Sequence, residues 1–362
     1  MKNTYGISVA VTLFGESHGE CIGAVLDGLA PGIAIDHAYI AHMLTLRRPA
    51  GRISTPRQEQ DAYRIVSGVA NGKTTGAPLT ILIPNENVKS ADYAEMQTVV
   101  RPSHADYTAA CKYHGAQDTR GGGHFSGRIT AALVAAGAVC RCALEQKGIF
   151  IGTHVKRCAG IADRDFADYP TDIAALHQKT FAVLDDAAGE AMQQAILDAA
   201  SDGDSVGGVL ETAVIGMPAG VGEPWFDTVE GMLSHMLFSI PAVKGVEFGT
   251  GFALADLRGS AANDPFKLDN GKVVTATNHN GGINGGITNG MPLLFRTAVK
   301  PTPTIFKVQD TVDLGTMTET VLRPKGRHDP AIVHRARAVQ DAATALVLCD
   351  ALALRYGTDW LK

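Results

Sequence analysis

Ile22-Gly23-Ala24-Val25-Leu26 reappears as Val206-Gly207-Gly208-Val209-Leu210, and this echo organises the rest of the chain. Further along, Ile40-Ala41-His42-Met43-Leu44 is matched by Leu233-Ser234-His235-Met236-Leu237, and Pro49-Ala50 by Pro241-Ala242. Gly72-Lys73-Thr74-Thr75-Gly76-Ala77-Pro78-Leu79 is matched by Gly286-Ile287-Thr288-Asn289-Gly290-Met291-Pro292-Leu293. The matches keep their order, and their separation grows along the chain, as insertions in the second copy require. They imply two copies of a strand–helix–strand unit, pseudo-repeats over residues 5–150 and 200–305, inside one domain spanning 1–362. Chance matching of short apolar words is the alternative. A duplicated unit brings two similar surfaces together and makes one site between them.

Outward from these words, residues 22–29 are predicted as a strand closed by Pro31-Gly32, with Asp36 as a helix N-cap and 38–46 as the helix. Residues 62–69 and 79–83 are predicted strands, 129–147 an alanine- and leucine-rich helix, and 206–215 a strand ending near Pro218. Helix is predicted at 226–239, strand at 272–277 and 291–299, and the final helix at 337–355. The acidic stretch 157–200 has the composition of helical surface.

The 362 residues are 45% hydrophobic and 19% charged, ordinary values for a soluble globular protein. Such a chain buries a sizeable core without staples. A net charge of −5 gives no global basic field, so neither nucleic acid nor membrane is expected as a partner. Cys21, Cys111, Cys140, Cys142, Cys158 and Cys349 form no CxxC pair and have no zinc spacing with histidine. No metal is expected, and most of the cysteines read as small core residues. Residues 1–12 lack a long apolar core and a cleavage signal. No run of about 18 apolar residues suggests a membrane span. The expectation is a reduced, soluble, cytoplasmic protein.

Glycine clusters at Gly121-Gly122-Gly123, Gly281-Gly282, and Gly285-Gly286 with Gly290. They serve tight turns or let backbone approach a ligand. His18, between Ser17 and Gly19, and His104, in Arg101-Pro102-Ser103-His104-Ala105-Asp106, stand on loops. Histidine titrates near neutrality, which suits acid–base work, although surface histidines are common. Arg47-Arg48-Pro49-Ala50-Gly51-Arg52, with Arg57 beyond, is either a solvated loop or a clamp for carboxylate and phosphate. Arg120-Gly121-Gly122-Gly123-His124-Phe125-Ser126-Gly127-Arg128 runs into the long helix, whose N-terminus can hold an anion. Arg128 there opposes the helix dipole, which points to a ligand. Gly68 and Gly72-Lys73-Thr74 imitate a phosphate-binding loop but have one residue too few between the glycines. Arg323-Pro324-Lys325-Gly326-Arg327-His328-Asp329-Pro330 gathers cations and a carboxylate before the last helix. Asp329 is either a helix cap or a functional acid.

As an ordered set these segments resemble the chorismate synthase family. Gly15-Glu16-Ser17-His18-Gly19 through Asp27-Gly28 matches its first signature. Gly123 through Ser126-Gly127-Arg128 to Ala135-Ala136-Gly137 matches the second, and Arg327-His328-Asp329-Pro330 onward the third. Arg47-Arg48-Pro49, residues 72–76, 101–106, Gly207, residues 242–247 and Lys300-Pro301-Thr302 fit between them. The resemblance runs from Phe14 to about Leu348, nearly the whole chain.

It implies an α+β fold, a β-α-β sandwich with antiparallel sheets around helices, assembled as a homotetramer. The implied substrate is 5-enolpyruvylshikimate 3-phosphate. It loses phosphate and a C6 hydrogen by anti-1,4-elimination to give chorismate, the last common step of the shikimate pathway to aromatic amino acids. The implied cofactor is reduced FMN, without net redox change. By the resemblance, His18 assists the leaving phosphate, His104 protonates or stabilises the reduced flavin, and Asp329 takes the C6 hydrogen. Arg47, Arg52, Arg101 and Arg128 hold the substrate, and Arg47 and Arg52 also suit the phosphates of NADPH. Flavin contacts fall on His124, Phe125, Ser126, Pro241, Ala242, Gly285, Lys300, Pro301, Thr302, Pro303, Thr304 and Arg327. Many members carry Arg-Ser-Ser at 124–126, asparagine at 241 and glutamate at 341; here stand His124-Phe125-Ser126, Pro241 and Asp341. The triplet 121–123 lacks GxGxxG and its following acidic residue. The flavin's electrons are therefore expected from an external flavin reductase or reductant. A redox flavoprotein and a non-enzymatic anion binder are the alternatives.

Overall fold

The computed structural model describes residues 2–49, 51–55, 60–86, 98–323 and 329–362. Two five-stranded antiparallel sheets enclose a layer of helices. The first takes β1 (Thr4–Tyr5), β2 (Ala10–Gly15), β3 (Cys21–Asp27), β4 (Arg64–Ser67) and β5 (Leu79–Pro84), in the order β1-β2-β3-β5-β4. The second takes β6 (Phe150–Cys158), β7 (Ile161–Ala162), β8 (Gly208–Ile215), β9 (Val243–Phe248) and β10 (Leu293–Val299), in the order β9-β10-β8-β6-β7. The helices are α1 (His37–Arg47), α2 (Asp106–Tyr113), α3 (Thr130–Gln146), α4 (Tyr169–Leu176), α5 (Asp186–Ser201), α6 (Val229–Leu237) and α7 (Val333–Tyr356). α1, α3, α6 and α7 make the layer, with α3 against the first sheet and α7 against the second.

Alternation sets which strand face is buried. Ile22, Ala24 and Leu26 of β3 lie opposite Ile83, Ile81 and Leu79 of β5, and all six are sealed under the helices. The helices begin where local chemistry starts them. The Asp36 side chain accepts from the Tyr39 N–H, and Thr228 Oγ1 accepts from the Gly231 N–H at the head of α6. α3 and α7 cross so closely that a Cβ on Gly137 would lie 2.5 Å from the Cβ of Ala342. The stretch Gly127–Gln146 is long and apolar enough to cross a membrane by composition, and 83% of its apolar window is buried here in the protein's own core.

β3 and β8, the strands read from the two echoed words, sit at the centre of their sheets. Each is followed by a layer helix, α1 or α6, and then by a neighbouring strand, β5 or β10. Other elements depart from expectation. Two strands, β1 and β2, precede residue 21, and β6 is a nine-residue strand that the sequence patterning did not mark. α7 starts at Val333 rather than at 337. The 157–200 stretch is not all surface. Its Val183, Met192 and Ile196 join Val155, Leu210 and Val299 in a second, smaller core.

Candidate active site

The glycine triplet is the hub. Gly121, Gly122 and Gly123 have φ of 59, 88 and 53°, the left-handed region that glycine enters without penalty. A side chain at 121 would strike His18, its Cβ 2.1 Å from the ring Cε1, and one at 122 would come within 3.4 Å of His104 Cε1. The bare backbone thus lets His18 pack against one residue and His104 against the next. The Ser17 N–H donates to the Gly123 carbonyl at 3.1 Å and fixes the first loop to the triplet.

His104 is oriented by Asp106. Its Nδ1 lies 2.6 Å from Asp106 Oδ1, while Arg101 grips the same carboxylate with Nε at 2.8 Å and Nη2 at 2.7 Å. Burial alone would push the Asp106 carboxyl up. The hydrogen bonds from Arg101 and His104 outweigh it and hold Asp106 well below the usual carboxylate range. An ionised Asp106 favours the proton on His104 Nδ1 and leaves Nε2 as the exchanging atom.

One buried carboxylate ties the arginines together. Arg47 Nη1 donates to Asp61 Oδ2 at 3.2 Å, Arg128 Nη1 pairs with Asp61 Oδ1, and Arg48 Nε stands 3.6 Å from Oδ2. Arg47 also donates from Nε to Thr130 Oγ1 and from Nη2 to the Gly127 carbonyl. Arg128 donates from Nε to Asn85 Oδ1 and from Nη2 to the Pro84 carbonyl. The dipole that Arg128 opposes is thereby compensated by Asp61. Asp329 does not cap α7, whose N-cap is Ile332. Its Oδ1 accepts the Thr55 N–H at 2.8 Å, and its Oδ2 pairs with Arg335, which in turn donates to the Arg47 carbonyl.

These groups open on one cavity of about 980 Å³. Arg47, Arg48, Arg101, His104, Arg128, Asp329 and Arg335 line it, together with His124, Phe125 and Ser126. The same lining carries a largely apolar run of Met236, Phe238, Ile240, Pro241, Ala242 and Val243, with Lys300, Thr302, Pro303 and Thr304. Thr130 and Leu133 of α3 and Arg335 and Ala336 of α7 reach the lining, so two helices present their first turns to it. Neither N-cap residue, Ile129 or Ile332, offers a side-chain acceptor, and both helix dipoles favour an anion there.

Not every candidate residue reaches this lining. His18 packs against Gly121 and does not line the cavity, its Nδ1 3.2 Å from Ser17 Oγ. Arg52 is exposed and Pro301 projects elsewhere, neither lining the cavity. Gly285 sits in the turn between Asn284 and Ile287, beside Gly286, whose carbonyl accepts from Val229 at the N-terminus of α6. The cavity meets the other end of that helix, and its nine residues span roughly 13 Å at 1.5 Å each. Arg327 lies outside the described residues. Asp341, fully buried in the helix layer, takes Arg141 at 3.1 Å and Arg337 at 3.9 Å, away from the lining. Asp61 and Arg335 escaped the sequence analysis, and no local motif marks either. Asp106 was legible only as a neighbour of His104.

Comparison with known proteins converges on one family. The chorismate synthase family model matches residues 9–353. The chorismate synthase of Thermococcus kodakarensis is 45% identical over 350 residues, covering 97% of each chain. That of Dehalococcoides mccartyi is 46% identical over 360 residues, covering 99% of this chain and 98% of the other. A crystal structure of chorismate synthase superposes with a TM-score of 0.77 at 29% identity, covering 98% of this chain and 94% of that one. The chain belongs to the chorismate synthase family, whose members catalyse the final step of the shikimate pathway.

Proposed function

We propose that the chain converts 5-enolpyruvylshikimate 3-phosphate to chorismate and phosphate by anti-1,4-elimination, with reduced FMN held in the same cavity. The observation that carries this is a single cavity lined both by an arginine cluster and by a run of apolar residues. Ligand pockets run to about 1,000 Å³, so 980 Å³ suits a substrate and a flavin together. Met236, Phe238 and Ile240 offer an apolar face for a ring system, and His124 and Ser126 offer polar groups for a phosphate tail. Thr302 Oγ1 is buried on that lining with no hydrogen-bond partner among the described residues, as a hydroxyl awaiting a ligand would be.

The arginines bind the substrate's phosphate and carboxylates by charge-assisted hydrogen bonds. The C3–O bond to phosphate breaks with its electron pair on oxygen, and the departing phosphate stays paired with the arginines. Asp329 takes the C6 hydrogen as a proton at its carboxylate. His104 holds or moves a proton at Nε2, and Asp106 orients the ring through Nδ1. Met236, Phe238, Ile240, His124, Ser126 and Thr302 would hold reduced FMN, which would supply transient electron density to a reaction without net redox change. We further propose a cytoplasmic homotetramer supplied with reduced flavin by a separate reductase, with NADPH phosphates able to touch Arg47.

The test is anaerobic phosphate release from the substrate with dithionite-reduced FMN. One phosphate per chorismate is expected, with the flavin still reduced at the end. Equal turnover in air with oxidised FMN and no reductant would sink the assignment.

A further inference from the structure

Asp61 occupies a backbone conformation that most side chains avoid, with φ of 51°. Aspartate and asparagine tolerate it better than bulky residues do. The carboxylate is completely buried, with 0% side-chain exposure, yet it lies against the cavity lining. It bridges separate segments: Arg47 and Arg48 come from the end of α1, and Arg128 from the turn before α3. Three guanidinium groups around a single site repel one another, and a shared anion sets their spacing.

We infer that Asp61 is a positioning residue for the substrate clamp, holding Arg47, Arg48 and Arg128 in the one arrangement that meets several anionic groups of a substrate at once. The identity of that substrate rests on the function proposed above; the arrangement of the arginines does not. A compact anion such as inorganic phosphate needs only one or two donors and is indifferent to their wider register. A substrate with a phosphate and two carboxylates is not.

The variant is Asp61→Asn, which keeps the shape and the left-handed backbone and removes the charge. Full-length, FMN-loaded protein is titrated calorimetrically with 5-enolpyruvylshikimate 3-phosphate and, separately, with inorganic phosphate. The expected result is a split. Substrate Kd rises about ten- to a hundredfold, the worth of a lost charge-assisted contact, while inorganic phosphate binds at least as tightly as before because a counter-charge has gone. Wild-type affinity for both ligands overturns the proposal, and so does parallel weakening of both, which marks a merely structural role. Should the single variant not fold, Asp61→Asn combined with Arg48→Gln restores the charge balance and is titrated in the same way beside Arg48→Gln alone. A further rise in substrate Kd over Arg48→Gln, with no loss of inorganic phosphate affinity, supports the proposal; no further rise, or failure of the double variant to fold, overturns it. Wild-type protein that takes inorganic phosphate but not the substrate would instead sink the functional assignment.

Discussion

The loops that follow α1 and α6 leave corresponding helices and reach the same cavity, yet they are built from opposite materials. At the end of α1 the chain offers Arg47 and Arg48, which pair with Asp61, and then Pro49. After α6 it offers Phe238, Ile240, Pro241 and Ala242, whose ordering comes from backbone. Ala242 has φ of 74°, and its carbonyl accepts the Lys300 N–H at 2.9 Å. One side is specified by charge and therefore by partners distant in sequence. The other is specified by local conformation. On the function proposed above, the multiply charged substrate would use the first kind of wall and a flat ring system the second, and similar scaffolds can supply both through different loops.

The largest effect expected on this contrast is at the edge of the charged wall. His104→Ala should lower turnover by about 100- to 10,000-fold, the usual reach of general acid–base catalysis, with flavin affinity little changed. Stopped-flow turnover alongside a flavin titration would check it. Near-normal turnover would reduce the charged wall to a binding surface.

Next come paired substitutions, one on each wall. Arg128→Ala should weaken substrate binding by roughly 1.5–3 kcal/mol, about ten- to a hundredfold, and flavin binding much less. Ala242→Val places a β-branched residue at positive φ, a strain on the order of 1 kcal/mol or more, and should do the reverse. Titrating each variant with each ligand separates them. If both variants lose both ligands equally, the walls do not act independently.

The last effect is on stability rather than on ligand binding. His334 anchors the charged side through Ser54, with Nε2 2.8 Å from Ser54 Oγ. Burial, aided by the charge of Arg335, pushes its pKa from 6.5 down to about 3. His177, buried beside Arg141, is likewise pushed down to about 4. Between those values and 6.5 the unfolded chain binds more protons than the native one, so stability falls as pH falls. Each imidazole contributes up to about 1.4 kcal/mol per pH unit in that window. His154 works in the opposite sense. Burial lowers its pKa, but its hydrogen bonds to Asp163 and Glu211 prevail and raise it, so it adds stability on the acid side. Thermal melts from pH 7 to 5 should show a lower midpoint at acid pH. The slope should be shallower in His334→Asn, and an unchanged slope would remove His334 from the account.

What the sequence revealed and what it hid follow from the range of the forces involved. Strands such as β3 and helices such as α1 were readable because apolar runs, Asp36 as a cap and Pro31-Gly32 as a stop all act within a few residues. β6 was not readable. Its Thr153 and His154 look like solvated polar residues, but both are buried and paired with Thr212, Asp163 and Glu211. Proximity in sequence also misled. Arg52 is close to Arg47 along the chain yet stands outside the cavity, while Asp61, with no motif of its own, lies at the centre of the arginines. Gly285 belongs to a glycine cluster, and α6 holds it at the far end from the site.

The close crossing at Gly137 and Ala342 acts as a fulcrum. Both helices run from that pinch toward the cavity, α3 ending in the Arg128 turn and α7 in the segment carrying Arg335. About two turns, on the order of 10 Å, separate the crossing from the first turn of α3. A methyl group added at 137 would have to part the two helices, because it meets the backbone of Ala342 as well as its side chain. The gape of the cavity mouth is therefore gauged by two hydrogen atoms on a residue that touches no ligand.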